Sequence, residues 1–263
     1  MEWLVYLITG AVAGVMAGLL GIGGGFVIVP ALVFLLPQFG VDSAIVMHVA
    51  VGTSLATIVV TASSSLWAHH KRQGVNWVMF RRLSPGIVVG ALLSGWLADQ
   101  LATQWLALIF GCGAMLMSLQ IALAQQPQPR AQPPSFITQS LVATLFGSAS
   151  GLVGIGGGSL VVPYLHYLGE RMTVCIGTAA SCGLPLALAG SISFAWAGSD
   201  APVPQFSLGY IYLPAFLGII IASTATAPLG AKLAHVLPAP LLKKIFAVFL
   251  AIVGAQIIIK SFG

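Results

Sequence analysis

Gly18-Leu19-Leu20-Gly21-Ile22-Gly23-Gly24-Gly25-Phe26-Val27-Ile28-Val29-Pro30 occurs near the start of this chain, and after residue 150 it returns. The second copy reads Gly151-Leu152-Val153-Gly154-Ile155-Gly156-Gly157-Gly158-Ser159-Leu160-Val161-Val162-Pro163. An interior glycine costs a helix about 0.8–1.0 kcal/mol relative to alanine. Three in a row, at Gly23–Gly25 and again at Gly156–Gly158, therefore predict a helix end, a patch of uncovered backbone and a second short helix. Pro30 and Pro163 fall inside those short helices.

The surrounding sequence identifies the solvent. The chain is 58% hydrophobic and 6% charged, with a mean hydropathy of +1.02. A soluble domain of this length does not carry that composition. Several apolar runs reach the roughly 20 residues that cross a bilayer core. The reading is an all-α polytopic membrane protein. Residues Trp3 to Leu20 lack a basic leader and a small-residue cleavage site, so they are read as part of the mature fold and not as a signal peptide.

Taken outward from the first glycine break, Phe26–Leu36 is too short to span alone, because eleven helical residues rise only about 16 Å. Spans are expected over about 44–67, 83–98 and 105–123. A basic loop holding His69, His70, Lys71, Arg72, Arg81 and Arg82 should separate the first two. Residues 125–135 are rich in proline and glutamine and favour extended backbone. They divide a first repeat, 1–124, from a second, 136–263. The second repeat predicts a segment 136–153, a short helix 159–168, and spans over about 174–197, 208–229 and 244–259. Gly52-Thr53 matches Gly177-Thr178, and Pro85-Gly86 matches Pro214-Ala215, as an internal duplication would have it.

Charge decides between parallel and inverted copies, because Lys and Arg gather in cytoplasmic loops. If each glycine-broken unit enters and returns to one face, each half has an odd number of crossings. Lys71, Arg72, Arg81, Arg82, Arg130, Arg171, Lys232, Lys243 and Lys244 then all become cytoplasmic and only Lys260 lies outside. Parallel copies leave Arg171, Lys232, Lys243 and Lys244 outside. The expectation is two inverted repeats, each a re-entrant-like helix hairpin plus three transmembrane helices, with a cytoplasmic linker and both termini outside.

Backbone exposed at membrane depth must be buried in protein or line a wet cavity. The two short helices would aim their N-termini into one space near the bilayer midplane. Unpaired N–H groups and the helix dipole make such an end an anion site. Candidate substrate-binding residues are Gly23, Gly24, Gly25, Phe26, Thr53, Ser54, Gly156, Gly157, Gly158, Ser159, Thr178 and Ser181. Against this stands the plain reading of glycine as a helix-packing residue. A nucleotide fingerprint is excluded, since the sixth position holds Phe26 or Ser159 in place of the third glycine and no Lys-Ser/Thr follows.

The doubled glycine signature, with the Gly52-Thr53-Ser54 and Gly177-Thr178-Ala179 segments that follow, resembles that of the TauE/SafE family of sulfite exporters and sulfonate-uptake permeases. The resemblance covers essentially the whole chain. It implies a membrane transporter, expected to export sulfite or a related small sulfur oxyanion or organosulfonate. Uptake of a sulfonate is the alternative within the family. Ala179 stands where the first half has Ser54, so hydroxyl coordination need not be symmetric. A bacterial-type inner membrane, multi-pass location follows from the same resemblance.

The remaining chemistry is sparse. Glu2, Asp42, Asp99, Glu170 and Asp200 all fall at the ends of expected spans or in loops. No nucleophile–base constellation is legible, so the chain is not read as an enzyme. Cys112, Cys175 and Cys182 lack metal-ligand spacing and read as small hydrophobes. No cofactor or metal is expected. His48 reads as an interfacial, hydrogen-bonded histidine. The implied partners are a small sulfur-containing anion, the lipid bilayer and, as an open assembly state, a homodimer; nucleic acid is not among them. A non-transporting scaffold subunit would need no polar space between the two glycine tips.

Overall fold

The computed structural model describes residues 2–20, 24–123, 134–236 and 239–262. Gly21, Ile22, Gly23 and all but the last two residues of the expected linker lie outside them. Among the described residues the first half contains α1 (Glu2–Leu20), α2 (Gly25–Leu35), a 3-10 turn (Leu36–Phe39), α3 (Val46–Lys71), α4 (Trp77–Asp99) and α5 (Thr103–Leu123). The second contains α6 (Phe136–Val153), α7 (Gly158–Tyr167), α8 (Met172–Ala197), α9 (Leu213–Val236) and α10 (Ala239–Phe262). Eight of these helices are long and apolar enough to cross a membrane; α2 and α7 are shorter.

Several boundaries differ from the sequence expectation. α3 runs on to Lys71, so His69, His70 and Lys71 of the expected basic loop are helical, and α9 runs on to Val236. The span expected from 83 begins at Trp77. The Asn76 carboxamide oxygen accepts from the Val78 and Met79 amides at 3.0 and 3.1 Å, a helix N-cap that extends the helix backward. Arg81 and Arg82, expected in a loop, are therefore on its first turns. The span expected from 208 begins at Leu213, because β1 (Ser207–Leu208) and β2 (Ile211–Tyr212) pair antiparallel as a short hairpin. The last helix starts at Ala239, several residues before the expected 244.

The central pair is α3 and α8, and the other spanning helices form a ring around it. Gly52 lies against Phe194, Leu55 against Gly190 and Ala62 against Gly183. Numbers rise on one helix as they fall on the other, so the two are antiparallel. The ring carries exposed leucines and isoleucines such as Leu116, Leu141, Leu145, Ile221 and Ile259, the surface that a hydrocarbon solvent accepts. Inside, Thr53, Ser54 and Thr57 are fully buried.

Glycines set the ring contacts. Along α4 and α6, Gly86 meets Ser140, Gly90 meets Thr144 and Gly151 meets Ser94, in parallel register. Along α1 and α9, Gly10 meets Ile219, Gly14 meets Ser223 and Gly230 meets Val15, again parallel. α5 and α10 are antiparallel, with Gly111 on Gly254 and the Ser118 hydroxyl donating to the Ala247 carbonyl at 2.7 Å. Such backbone-to-backbone approach is how membrane helices gain van der Waals contact without a hydrophobic driving force. Gly147→Val would drive a side chain into the Ile87 backbone. It should cost about 1–3 kcal/mol by overpacking, read as a lower midpoint of thermal unfolding in detergent, whereas the exposed Leu141→Ala should change little.

Candidate functional site

The site grows from the two helix breaks. α6 ends at Gly154, whose φ of 70° is left-handed. Its amide donates to the Gly151 carbonyl at 3.1 Å and that of Ile155 to the Ser150 carbonyl at 3.0 Å, so the helix terminus is closed by its own backbone. The chain then turns through Gly156 and Gly157 and enters α7 at Gly158. In the first half Gly24 caps α2 with φ 75°, and its carbonyl receives the Val27 and Ile28 amides at 2.9 and 3.0 Å.

The two breaks converge. Gly25 is buried directly against the Gly154 carbonyl, next to Ile155 and Ile58 of α3. The Ser54 hydroxyl donates to that same Gly154 carbonyl at 2.8 Å. Gly157 rests beside Cys182, Gly183 and Leu186 of α8. Ile58 and Gly183 lie near the middles of their helices, so both short helices begin about halfway along the α3–α8 pair.

The sequence-derived residues separate into groups. Gly24, Gly25, Gly156, Gly157, Gly158 and Ser159 form the two tips, and Ser54 ties the second break to α3. Ser159 is 4% exposed, on the first turn of α7, and its hydroxyl has no hydrogen-bond partner among the described residues. Phe26, its counterpart in the repeat, packs edge-on against Phe110 and Phe246 in the apolar core. The Ser181 hydroxyl donates back to the Gly177 carbonyl at 2.8 Å. Thr53 and Thr178 lie toward the ends of α3 and α8. There Thr53 Oγ1 accepts the Tyr212 amide at 3.0 Å and Thr178 Oγ1 accepts the Asn76 amide at 2.8 Å.

Sequence reasoning missed those partners. The Asn76 side chain also donates to Glu170 at 2.7 Å. The Tyr210 hydroxyl donates to Asp99 at 2.8 Å. Burial, with Asp99 beside it, pushes the Tyr210 phenol above its ordinary range and keeps it a donor. His48 is buried and, as expected, hydrogen-bonded. Its Nε2 lies 2.9 and 3.1 Å from the Ala98 and Leu101 carbonyls, and its ring is 5.0 Å from that of Tyr210.

Spanning helices that enclose broken helices at mid-depth define a multi-pass membrane protein. A family profile described as "Sulfite exporter TauE/SafE" matches residues 6–257. The chain is 40% identical over 259 residues to a "Probable membrane transporter protein" of Haemophilus influenzae, covering 98% of each. A protein of the same description from Bacillus subtilis is 31% identical over 64% of this chain and 68% of its own. One from Methanocaldococcus jannaschii is 28% identical over 86% and 84%. No solved structure matches the chain. The chain belongs to the TauE/SafE family.

The two capping glycines differ in a way that can be measured. Gly24 has φ 75°, whereas Gly157 has φ −57° and room for a methyl group, since a Cβ there would lie 3.6 Å from its nearest neighbours. Gly24→Ala should cost about 1–2 kcal/mol from the left-handed backbone alone. Gly157→Ala should leave thermal stability close to wild type.

Proposed function

We propose that this chain transports sulfite or a related small sulfur oxyanion or organosulfonate across a bacterial-type inner membrane, with export as its direction. The anion binds at the tips of α2 and α7. The observation that carries this is the position of both helix starts near the middle of the α3–α8 pair, Gly25 against Ile58 and the Gly154 carbonyl, and Gly157 against Gly183. An α-helix N-terminus offers unpaired N–H groups and roughly half a positive charge, and both count for more away from water. Gly157 and Gly158 let an oxyanion reach the backbone, and the unpartnered Ser159 hydroxyl adds a neutral donor. Family membership supports the substrate class. An interior-negative potential favours anion exit by ~2.3 kcal/mol per charge per 100 mV.

The two halves are inverted repeats in this reading. Two-fold-related parallel copies would make counterpart helices parallel. Here α3 opposes α8 and α5 opposes α10, while α1 runs with α9 and α4 with α6, a pattern unchanged when the halves are exchanged. The gathering of Lys and Arg at the helix ends and connections assigned to the cytoplasm supports the same arrangement. Gln73 and Ser199 are exposed residues just after the counterpart helices α3 and α8. Single cysteines there should be labelled from opposite faces, Gln73→Cys from the cytoplasm and Ser199→Cys from outside; labelling from one face would mean parallel copies.

Gly157→Ala tests the anion site without disturbing the fold. Sulfite should stabilise the purified wild-type protein thermally, a neutral sulfone should not, and the added methyl should weaken sulfite binding by up to about tenfold, as expected for loss of one hydrogen bond. Unchanged binding in this variant and in Ser159→Ala would place the site elsewhere.

A further inference from the structure

The two Gly-Thr pairs of the repeat do the same thing at opposite ends of the central helices. At one end the Tyr210 carbonyl packs against Gly52, where a side chain would collide with it, and two residues on the Tyr212 amide donates to Thr53. At the other end the Gly74 carbonyl packs against Gly177, and two residues on the Asn76 amide donates to Thr178. Each pair therefore grips the segment that leads into a spanning helix of the other half: the hairpin before α9 is held by α3, and the turn before α4 is held by α8. Both threonines are fully buried, so each grip is shielded from competing water.

Because α3 and α8 are antiparallel, the two grips are separated by roughly 20 Å along the pair, at 1.5 Å per residue. The glycine tips lie between them, level with Ile58 and Gly183. Outside the first grip, Tyr212 lines a hollow of about 600 Å³ with Glu2, Trp3, Phe39 and Phe206. The Tyr210 hydroxyl on Asp99 and the Asn76 carboxamide on Glu170 add a second tie at each end.

We propose that Gly52-Thr53 and Gly177-Thr178 are the latches of two gates, one toward each membrane face, whose alternate release opens the glycine tips to that face. The proposal rests on the transport reading above. These four are positioning residues: they hold the connecting segments and act on the anion only through access. Both latches are closed in this structure. Release of one frees the start of α4 or α9 to move while the other still seals the opposite side.

Cys182 is a native reporter, buried beside Gly157. With Cys112→Ser and Cys175→Ser, its reaction with a membrane-impermeant charged thiosulfonate is followed from each face in oriented vesicles. Gly52→Ala should speed labelling about tenfold from the face of Ser199 alone, and Gly177→Ala from the face of Gln73 alone, the shift that loss of one hydrogen-bonded grip supports. Thr53→Val and Thr178→Val, which keep the side-chain shape and remove the acceptor, should act in the same directions if the glycine variants do not fold. Thr53→Ser should restore the wild-type rate. Acceleration from both faces, from the wrong face, or in none of these variants overturns the proposal. The readout needs no substrate, so a failed anion site would appear in sulfite binding and leave the labelling pattern intact.

Discussion

Everything in this structure answers to one constraint: backbone N–H and C=O groups inside a bilayer must find partners within the protein. Two glycine-rich breaks violate helix continuity at mid-depth, and they survive because α3 and α8 wall them in. The Gly154 carbonyl shows how the cost is met. It ends a helix, yet the Ser54 hydroxyl donates to it and Gly25 packs on it. The first break thus helps to bury the second, and α3 satisfies its free carbonyl.

Closure of the molecule depends on exchange between its halves. α1 lies on α9 and α6 on α4, so neither half encloses its own broken helix alone. Glycine is the device at nearly every such contact, since lipid offers no hydrophobic reward for association and close backbone approach must supply the attraction. The same logic recurs at Gly52 and Gly177, where the approaching backbone is an irregular connector and a neighbouring threonine receives its amide.

The duplication is not uniform at the point where chemistry is proposed. Phe26 fills an aromatic cluster with Phe110 and Phe246, whereas Ser159 leaves a buried hydroxyl without a partner among the described residues. One tip is thereby anchored in the core, and the other retains donor capacity. Gly24 and Gly157 differ likewise, in left-handed and right-handed backbone. An anion at this place would meet two unequal helix ends.

The sequence by itself determined the membrane class, the apolar segments that became helices, the two short helices and the places where helices break. These follow from local quantities: run length, hydropathy and the helix cost of consecutive glycines. It counted three spanning helices and a re-entrant hairpin in each half, whereas α1 and α6 are also long and apolar enough to cross. It also exposed Gly52-Thr53 and Gly177-Thr178 as counterparts. Their contacts were decided only by the tertiary structure, because Tyr210, Tyr212, Gly74 and Asn76 reach them from the opposite half. A threonine hydroxyl reads the same in sequence whether it faces an anion or a distant amide. The start of α4 at Trp77 was missed since its charged first turns hide the helix, and only the Asn76 cap reveals it. Which glycine turned left-handed was likewise beyond a sequence in which both triplets are identical, as backbone angles at a break are set by what packs around it.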